Sequence, residues 1–313
     1  MISQKLAQTV GELAHEIFGA VPAEVKEISL GVMTYKFAVE LPNGERYVVR
    51  FYPRSRASVV EYEPDLLRRC SDVGLGTPQV VIDSRTGPWA EMNYVVYQMI
   101  EGMPLAHKLS SLSSEGLRQI ARDIIHRLQG LAQLSVLGYG DLVAADRARF
   151  DSLSDFFARS FAQGLKTAEE SQLWPREMIE KLWSIARKIG TRVQENRVGL
   201  TWGDLSVENI LIDPNNGVAG LVDFEGVIAA NPLLNLGYAY ARYYPSAFFD
   251  ALARAWQAPL NKSQWHSIHF YCVLRAVRLA QFAAEPLPTG HSRTTIEDLL
   301  PGFRPAITAL FDE

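Results

Sequence analysis

Asp204, Asn209 and Asp223 form the clearest chemical pattern in this sequence. Asp204 and Asn209 bracket a loop that comes just before an apolar strand at residues 209–213. A tight turn predicts a partner strand at residues 218–224, which brings Asp223 back beside Asn209. Two carboxylates and an amide oxygen that converge at the mouth of a hairpin form a hard oxygen site, which suits Mg²⁺.

This set of side chains is the one that phosphoryl transfer needs. One carboxylate accepts the proton of the attacking hydroxyl, while an asparagine and an aspartate hold a metal ion that bridges the phosphates. The alternative is that the residues have separate structural roles. In that case Asp204 caps a segment of backbone and Asp223 belongs to a turn.

The run Trp-Gly-Asp at residues 202–204, Asn209, and the run Asp-Phe-Glu at residues 223–225 resemble a known signature. It is that of the aminoglycoside phosphotransferase and choline kinase-like superfamily of small-molecule kinases. The resemblance covers nearly the whole chain, because a hinge, the hairpin and the next helix follow in the family's order. It implies Asp204 as catalytic base, Asn209 and Asp223 as Mg²⁺ ligands, and ATP or GTP as co-substrate.

Two positions depart from the family pattern. Trp202 stands where histidine is common, and Asn235 stands where aspartate is common. These changes leave open a catalytically silent, nucleotide-binding pseudokinase, although a pseudoenzyme usually lacks the base or a metal ligand. A protein kinase is a second alternative. Glu225 in place of glycine and the lack of an Ala-Pro-Glu segment count against it.

The elements that position these residues are predicted in two parts, as an α+β, protein-kinase-like fold with two lobes. Residues 1–100 form a small β-rich N-lobe that binds nucleotide, and residues 101–313 form a large helical C-lobe with the catalytic loop and the acceptor site. The N-lobe strands are expected within residues 27–41, 46–51, 79–83 and 94–99, with a helix over residues 61–70. The C-lobe helices are expected over residues 114–131, 152–166, 175–195, 233–256 (broken at Pro245), 262–284 and 294–311, with the hairpin as the one clear β signal.

The N-lobe contains candidates for nucleotide binding. Gly31 and Thr34 lie between two strand signals, where the family has its phosphate-covering loop. Arg50 lies in the strand where kinases have a phosphate-binding lysine, and its guanidinium can grip phosphate and a carboxylate together. Glu63 on the next helix is the expected carboxylate partner, since Glu61 would point elsewhere. The alternative is a solvated arginine and a surface glutamate.

A hinge is expected between the two lobes. The run Tyr-Gln-Met-Ile at residues 97–100 matches the hinge of the family. The resemblance implies that backbone groups of Gln98 and Ile100 bind the edge of the adenine ring.

Composition limits the class of protein. The chain has 313 residues, 48% of them hydrophobic and 21% charged, so it can bury a sizeable core. Its net charge of −4 and the lack of a basic block make nucleic acid and anionic membranes poor partners. No apolar run of roughly 18 residues occurs, and Cys70 and Cys272 fit buried thiols in a reducing compartment. The sequence predicts a soluble cytoplasmic protein.

The acceptor is a small hydroxylated molecule whose charge the sequence indicates only indirectly. Residues 200–313 contain seven Lys or Arg and eleven Asp or Glu, which gives the net charge of −4 for the whole chain. This balance favours a cationic acceptor such as an aminoglycoside or amino alcohol, and leaves a neutral sugar, nucleoside or other natural-product alcohol open. The run Gly-Tyr-Gly-Asp at residues 138–141 resembles a stretch of the hygromycin-type phosphotransferases. The resemblance implies antibiotic or natural-product modification as one role.

Overall fold

In the part of the chain that the structure describes, the strands form three antiparallel sheets, and most helices lie in the second half of the sequence. The computed structural model describes residues 2–29, 33–89, 91–189, 198–256, 259–282 and 295–311. The strands are β1 (Glu24–Ile28), β2 (Tyr35–Glu40), β3 (Arg46–Phe51), β4 (Val80–Asp83), β5 (Tyr94–Gln98), β6 (Met103–Pro104), β7 (Tyr139–Ala144), β8 (Arg147–Phe150), β9 (Gly199–Thr201), β10 (Ile210–Ile212), β11 (Val218–Leu221) and β12 (Ile228–Ala230). The helices are α1 (Ile2–Phe18), α2 (Ala57–Val60), α3 (Glu63–Asp72), α4 (Ser114–Leu131), α5 (Leu153–Glu170), α6 (Arg176–Ile189), α7 (Leu234–Tyr243), α8 (Ala247–Trp256), α9 (Lys262–Ala280), α10 (Ile296–Leu299) and α11 (Phe303–Phe311).

The N-terminal sheet has the strand order β1-β2-β3-β5-β4 and uses its two faces differently. Side chains alternate along each strand, so Phe37 and Val49 pack with α1 in one apolar cluster. The same alternation puts Lys36 and Arg50 on the opposite face. They are directly opposite each other on β2 and β3. This face therefore presents two neighbouring cations to the rest of the chain.

The predicted hairpin is present, and it forms the second sheet. Ile210 of β10 pairs with Leu221 of β11, and the Val222 N–H donates to the Asn209 carbonyl at 3.0 Å. The short strand β6 pairs with the other edge of β10. The hairpin thus brings Asp223 next to Asn209 along the backbone, as expected.

A third sheet, of order β8-β7-β12-β9, was not expected, since only one hairpin was predicted in the helical part. Its strands have three to six residues, too few to show a regular alternation. Gly138 and Gly140 adopt positive φ of 81° and 85°. At Gly140 a Cβ would come within 2.6 Å of the Phe156 ring, so this position requires glycine both for its φ and for space.

Several helix boundaries differ from the expected ones. The break at Pro245 is confirmed, since α7 ends at Tyr243 and α8 begins at Ala247. The last predicted helix is divided into α10 and α11 around a Pro-Gly pair at residues 301–302. Helix α4 is capped by Ser113, whose side chain accepts from the Gly116 N–H.

The overall architecture is the predicted α+β class, with a β-sheet N-terminal region and a helical C-terminal part. Helices α7 and α9 pack closely, and Gly237 of α7 lies against Tyr271 of α9. Cys70 and Cys272 are buried and free. None of the helices in the described ranges has the length and apolarity to cross a membrane. The lobe boundary at residue 100 stays a prediction.

Candidate active site

The loop from Asp204 to Asn209 is held by hydrogen bonds at both ends. The Asn209 side-chain amide donates to Asp204 Oδ2 at 3.1 Å and, less closely, to the Asp204 carbonyl at 3.4 Å. The Val207 N–H donates to the hydroxyl of Tyr243 on α7 at 2.8 Å. Because Asn209 uses its NH₂ group on Asp204, its amide oxygen is available as a ligand.

Asp204 also accepts from two arginines of the helical part. Arg275 Nη2 of α9 lies 3.0 Å from Asp204 Oδ1, and Arg242 Nη1 of α7 lies 3.4 Å from the same atom. Sequence reasoning missed both arginines. They follow Asp204 by 71 and 38 residues, and no local motif marks them.

Asp223 is paired with the two cations of the N-terminal sheet. Arg50 Nη2 donates to Asp223 Oδ1 at 2.8 Å, and Lys36 Nζ donates to Oδ2 at 3.3 Å. Burial alone would raise the pKa of Asp223, but Arg50 and Lys36 outweigh it and hold that pKa well below its ordinary value. Lys36 was not predicted, although a lysine within an apolar strand is a signal that could have indicated it.

Arg50 is the centre of a buried polar cluster. Its Nε donates to the Thr34 hydroxyl at 3.0 Å, and its Nη1 donates to Glu63 Oε1 at 3.2 Å. The Arg50 and Glu63 side chains are each 2% exposed, whereas Glu61 is exposed. The anticipated ion pair is therefore present and is not a surface contact. Burial raises the pKa of Glu63, while the Arg50 charge and the Tyr52 hydroxyl that donates to it act in the opposite direction.

Glu225 is a second carboxylate on Arg50. Its Oε2 lies 3.2 Å from Arg50 Nη2 and 3.4 Å from Arg56 Nη1. Burial raises the pKa of Glu225 to about 7, Arg50 opposes this, and the Asp223 charge adds to it. The Tyr62 hydroxyl donates to the Glu225 carbonyl at 2.6 Å, which joins the start of α3 to this loop.

The two departures from the family pattern both make hydrogen bonds within the site. The Trp202 backbone N–H donates to Asn235 Oδ1 at 2.9 Å, so asparagine accepts where an aspartate would. The Trp202 indole N–H donates to the Asp223 carbonyl at 3.2 Å, and the indole stacks on Phe224. The indole supplies a hydrogen bond in addition to packing.

At the expected hinge, one of the backbone groups predicted to bind adenine already forms a hydrogen bond next to the N-terminal sheet. The Gln98 N–H donates to the Gln79 carbonyl at 2.8 Å, so this donor cannot face a ligand at the same time. Ile100 makes no backbone–backbone hydrogen bond with any residue that the structure describes. Of the two backbone groups of Gln98, the carbonyl is therefore the one that remains to bind a nucleobase. Gly31 lies outside the described residues.

The donor chemistry around Asp223 fits a magnesium ion. Among the described residues there is no group of three or more His, Cys, Asp or Glu side chains that could hold a metal ion. Mg²⁺ commonly takes only one or two protein ligands and completes its shell with water and substrate phosphates. The Asp223 carboxylate and the Asn209 amide oxygen are donors of the types that such a site uses, and their role as ligands stays a prediction.

Comparison with known proteins identifies the family. A model of the phosphotransferase enzyme family, APH, matches residues 24–271. The chain belongs to the phosphotransferase enzyme family. The matched range contains all the site residues described above except Arg275, and the prediction of a small-molecule phosphotransferase is confirmed. No curated protein sequence matches this phosphotransferase significantly.

Solved structures share the fold of this phosphotransferase at low sequence identity. Aminoglycoside phosphotransferase APH(4)-Ia, in a ternary complex with ADP and hygromycin B, is 14% identical with a TM-score of 0.71, over 97% of each chain. The gentamicin complex of APH(2'')-IIa is 18% identical with a TM-score of 0.67, over 98% of this chain and 96% of that one. The GDP complex of aminoglycoside 2'-phosphotransferase-IIIa is 15% identical with a TM-score of 0.67, over the same two shares. The predicted kinase-like fold is confirmed.

Proposed function

We propose that this phosphotransferase moves the γ-phosphoryl group of ATP or GTP to a hydroxyl of a small molecule. The observation that carries the proposal is the position of Arg50, which contacts Thr34 and Glu63 of the N-terminal region and Asp223 of the hairpin at once. A nucleotide phosphate bound at Arg50 would lie beside the aspartate that suits the metal ion. Phosphoryl transfer depends chiefly on such positioning and on neutralising charge.

The transfer step is assigned to Asp204 and the acceptor. The acceptor oxygen forms a bond to the γ-phosphorus, and the bond between that phosphorus and the β–γ bridging oxygen breaks. The nucleoside diphosphate leaves with the electron pair. Asp204 accepts the proton of the hydroxyl, and Asn209 holds Asp204 in place through its amide.

Asn209 and Asp223 would hold Mg²⁺, which when bound neutralises charge on the phosphates. Arg50 and Lys36 supply further positive charge from the N-terminal sheet. The Gln98 carbonyl and the backbone of Ile100 are proposed to meet the nucleobase. Gly31 is proposed to lie in the loop that covers the phosphates, and Thr34 is proposed to donate to a phosphate oxygen.

The similar structures support a nucleotide and a hydroxylated acceptor. Two of them hold a nucleotide, ADP or GDP, and two hold an aminoglycoside, hygromycin B or gentamicin. This agrees with the predicted positive charge on the acceptor. The side chains of the helical part that contact Asp204 are arginines, however. They favour a negative charge on the acceptor next to its reacting hydroxyl.

A catalytically silent protein is the second candidate, suggested by Trp202 and Asn235. The hydrogen bonds of these two residues count against it, since both hold the backbone of the loop and hairpin that carry the three predicted site residues. The departures therefore leave the arrangement of the site intact.

Consumption of γ-phosphate tests the proposal directly. Purified protein with Mg²⁺ and ATP or GTP would be screened against aminoglycosides, sugars, nucleosides and amino alcohols. We expect Asp204→Asn to reduce turnover of the preferred acceptor by at least about 100-fold, the scale of a lost positioned base. Asp213→Asn, in the hairpin turn, is the matched control and should retain turnover. An Asp204→Asn variant as fast as wild type would refute the assignment of the base.

A further inference from the structure

We propose that the acceptor carries an anionic group, a carboxylate or a phosphate, next to its reacting hydroxyl, and that Arg242 and Arg275 bind this group. This assignment of the acceptor class rests on the proposed function, because it places the acceptor hydroxyl at Asp204. Everything else in it comes from the side chains around that aspartate.

Two guanidinium groups converge on one carboxylate oxygen. Arg275 and Arg242 both donate to Asp204 Oδ1, from two helices that pack against each other. Their side chains are 20% and 31% exposed, so they are oriented by the protein and remain open to a ligand. The Arg275 guanidinium also lies over the ring of Tyr238, with 5.0 Å between its central carbon and the ring centroid. Stacking leaves the edge of the guanidinium free to donate.

Positive charge exceeds negative charge at this point. Within the described part of the chain, Asp204 is the only carboxylate in ion-pair distance of either arginine. The next arginine on α9, Arg278, has its own partner, since it donates to Asp141 at 2.6 Å. Arg242 and Arg275 therefore share one negative charge between them. A cationic group next to the reacting hydroxyl would meet net repulsion from this pair.

Most donors of the two arginines are available. Each guanidinium has five N–H donors, and for each the described residues accept only one hydrogen bond, at Asp204. Carboxylates and phosphates match this geometry, because they accept paired N–H donors from an arginine. The two guanidinium groups have no acceptor for an ammonium group, because both kinds of group can only donate hydrogen bonds.

An anionic group of the acceptor would also free Asp204, the proposed base, from its hydrogen bonds to the two arginines. Asp204 Oδ1 is the atom that both arginines hold, and it is one of two oxygens that can accept the hydroxyl proton. An anionic group that takes over the arginine donors leaves this oxygen to the hydroxyl. Binding of the correct acceptor and readiness of the base are then coupled through the same two side chains.

Five acidic residues within residues 200–313 are candidates to meet a cationic acceptor, and the four that the structure describes have other surroundings. Glu297 lies 3.8 Å from Arg304. The Asp298 carboxylate accepts from the Thr295 hydroxyl, and the Asp298 backbone N–H donates to that hydroxyl oxygen. Glu208 accepts from Ser206, and Asp250 is exposed on α8. None of these four makes a hydrogen bond or ion pair with Asp204, Arg242 or Arg275 in the described ranges, and Glu285 lies outside them.

Two series of small hydroxylated probes test this inference, and each series has neutral, cationic and anionic members. One series is glucose, glucosamine, glucuronate and glucose 6-phosphate; the other is glycerol, 2-amino-1,3-propanediol, glycerate and glycerol 3-phosphate. Binding to wild type would be measured by calorimetry with Mg²⁺ and AMP-PNP saturating, and phosphorylation with ATP. Malonate and inorganic phosphate would be titrated in the same way, as anions without a sugar scaffold. The carboxylates and phosphates in these sets separate the two sources of the charge.

We expect the anionic members to bind at least about ten-fold more tightly than their neutral and cationic partners. Arg242→Gln and Arg275→Gln should remove that preference by raising the Kd and KM of anionic probes, with much smaller changes for neutral ones. Arg254→Gln, an exposed arginine on α8, is the matched control and should keep the preference.

Three results would overturn the inference. Wild type could prefer glucosamine or 2-amino-1,3-propanediol; it could fail to bind any anionic probe more tightly than its neutral partner; or the arginine variants could lower kcat equally for all probes. The first two use wild type alone and do not depend on the folding of a variant. If AMP-PNP binds with Mg²⁺ while the anion preference is missing, the acceptor class is wrong and the proposed function stands. If AMP-PNP does not bind, the proposed function itself fails.

Discussion

The indole of Trp202 is joined to the backbone of Asp223 by a hydrogen bond of 3.2 Å from Nε1 to the carbonyl oxygen. Asp223 adopts a left-handed conformation with φ of 69°, which is uncommon for a residue other than glycine. Trp202 comes two residues before Asp204, so this bond connects the segment that leads to the proposed base with the proposed metal ligand. The indole therefore supplies a donor at a position where the family commonly has histidine.

Replacing the Trp202 indole should lower the free energy of unfolding more than replacing the buried indole of Trp174. In Trp202→Phe the Asp223 carbonyl loses its donor, and we expect the free energy of unfolding to fall by about 1 to 3 kcal/mol beyond the packing loss. Trp174→Phe is the matched control, because the Trp174 indole N–H is buried and has no hydrogen-bond partner among the described residues. Urea unfolding measures both. Equal losses in the two variants would show that the bond contributes nothing.

Asp223 and Asn209 should differ in their effect on magnesium-dependent nucleotide binding. Asp223→Ala removes a charged oxygen ligand and should reduce the gain in AMP-PNP affinity that Mg²⁺ provides by about ten-fold or more. Asn209→Ala removes a neutral ligand and should reduce it less. Without Mg²⁺, Asp223→Ala should bind AMP-PNP at least as well as wild type, because Arg50 and Lys36 each lose one carboxylate partner. Calorimetry with and without Mg²⁺ decides this, and equal affinities of wild type and Asp223→Ala in saturating Mg²⁺ would contradict the site.

Glu225 should make stability fall as the pH rises through the neutral range. Burial, opposed by Arg50, raises its pKa from 4.5 to about 7. A carboxyl group whose pKa is higher in the folded state favours folding while it is protonated. Its contribution is therefore complete below pH 4.5 and is lost as the pH rises through about 7.

Glu225→Gln removes this titration. Relative to wild type, its free energy of unfolding should increase by up to about 3 kcal/mol between pH 4.5 and about pH 8. Urea unfolding in EDTA, without nucleotide, measures the difference. The lowered pKa of Asp223 lies below this window, and Glu61→Gln at an exposed position is the control. Parallel pH curves for wild type and Glu225→Gln would rule out the effect.

A methyl group at Gly237 should separate α7 from α9. A Cβ added at Gly237 would lie 2.3 Å from Tyr271 Cβ and 2.9 Å from the Ile268 carbonyl oxygen. Neither atom lies at the end of a flexible side chain, so neither can move away easily. We expect Gly237→Ala to lower the free energy of unfolding by about 1 to 3 kcal/mol. It should also raise the KM of the acceptor, because the two helices carry Arg242 and Arg275.

Gly11→Ala on α1 is the matched control for that substitution. No atom lies within 4 Å of a Cβ built there, so the change should be neutral or stabilise the helix by up to about 1 kcal/mol. Thermal unfolding and acceptor kinetics measure both variants. If Gly237→Ala were as stable as wild type and kept the acceptor KM, close packing of α7 on α9 would not matter for the acceptor.

The sequence predicts those parts of the site that local patterns specify. The hairpin follows from two apolar strands and a tight turn, and it correctly places Asn209 near Asp223. The pairing of Arg50 with Glu63 follows from a strand and the helix after it, since the spacing on the helix favours Glu63 over Glu61. The break at Pro245 follows from the chemistry of proline in a helix.

The missing parts depend on contacts between distant segments. Arg242 and Arg275 look like ordinary residues of amphipathic helices until α7 and α9 are packed beside Asp204. The third sheet has strands too short for periodicity, and its β9 and β12 lie on either side of the hairpin in the sequence. The Gln98 N–H is occupied because β4 begins opposite the end of β5, and the sequence of the hinge does not determine that register.

The two cations on Asp223 have a thermodynamic consequence. Under the proposed function, Lys36 and Arg50 bind phosphate and Asp223 binds the metal ion. Without these ligands, both cations form ion pairs with the Asp223 carboxylate. A phosphate that engages Lys36 and Arg50 replaces their bonds to the Asp223 carboxylate, and a divalent cation on that carboxylate replaces the same bonds from the other side. Each ligand then raises the affinity for the other by the same factor, because linkage is reciprocal. Nucleotide and magnesium ion should therefore bind this protein as a cooperative pair.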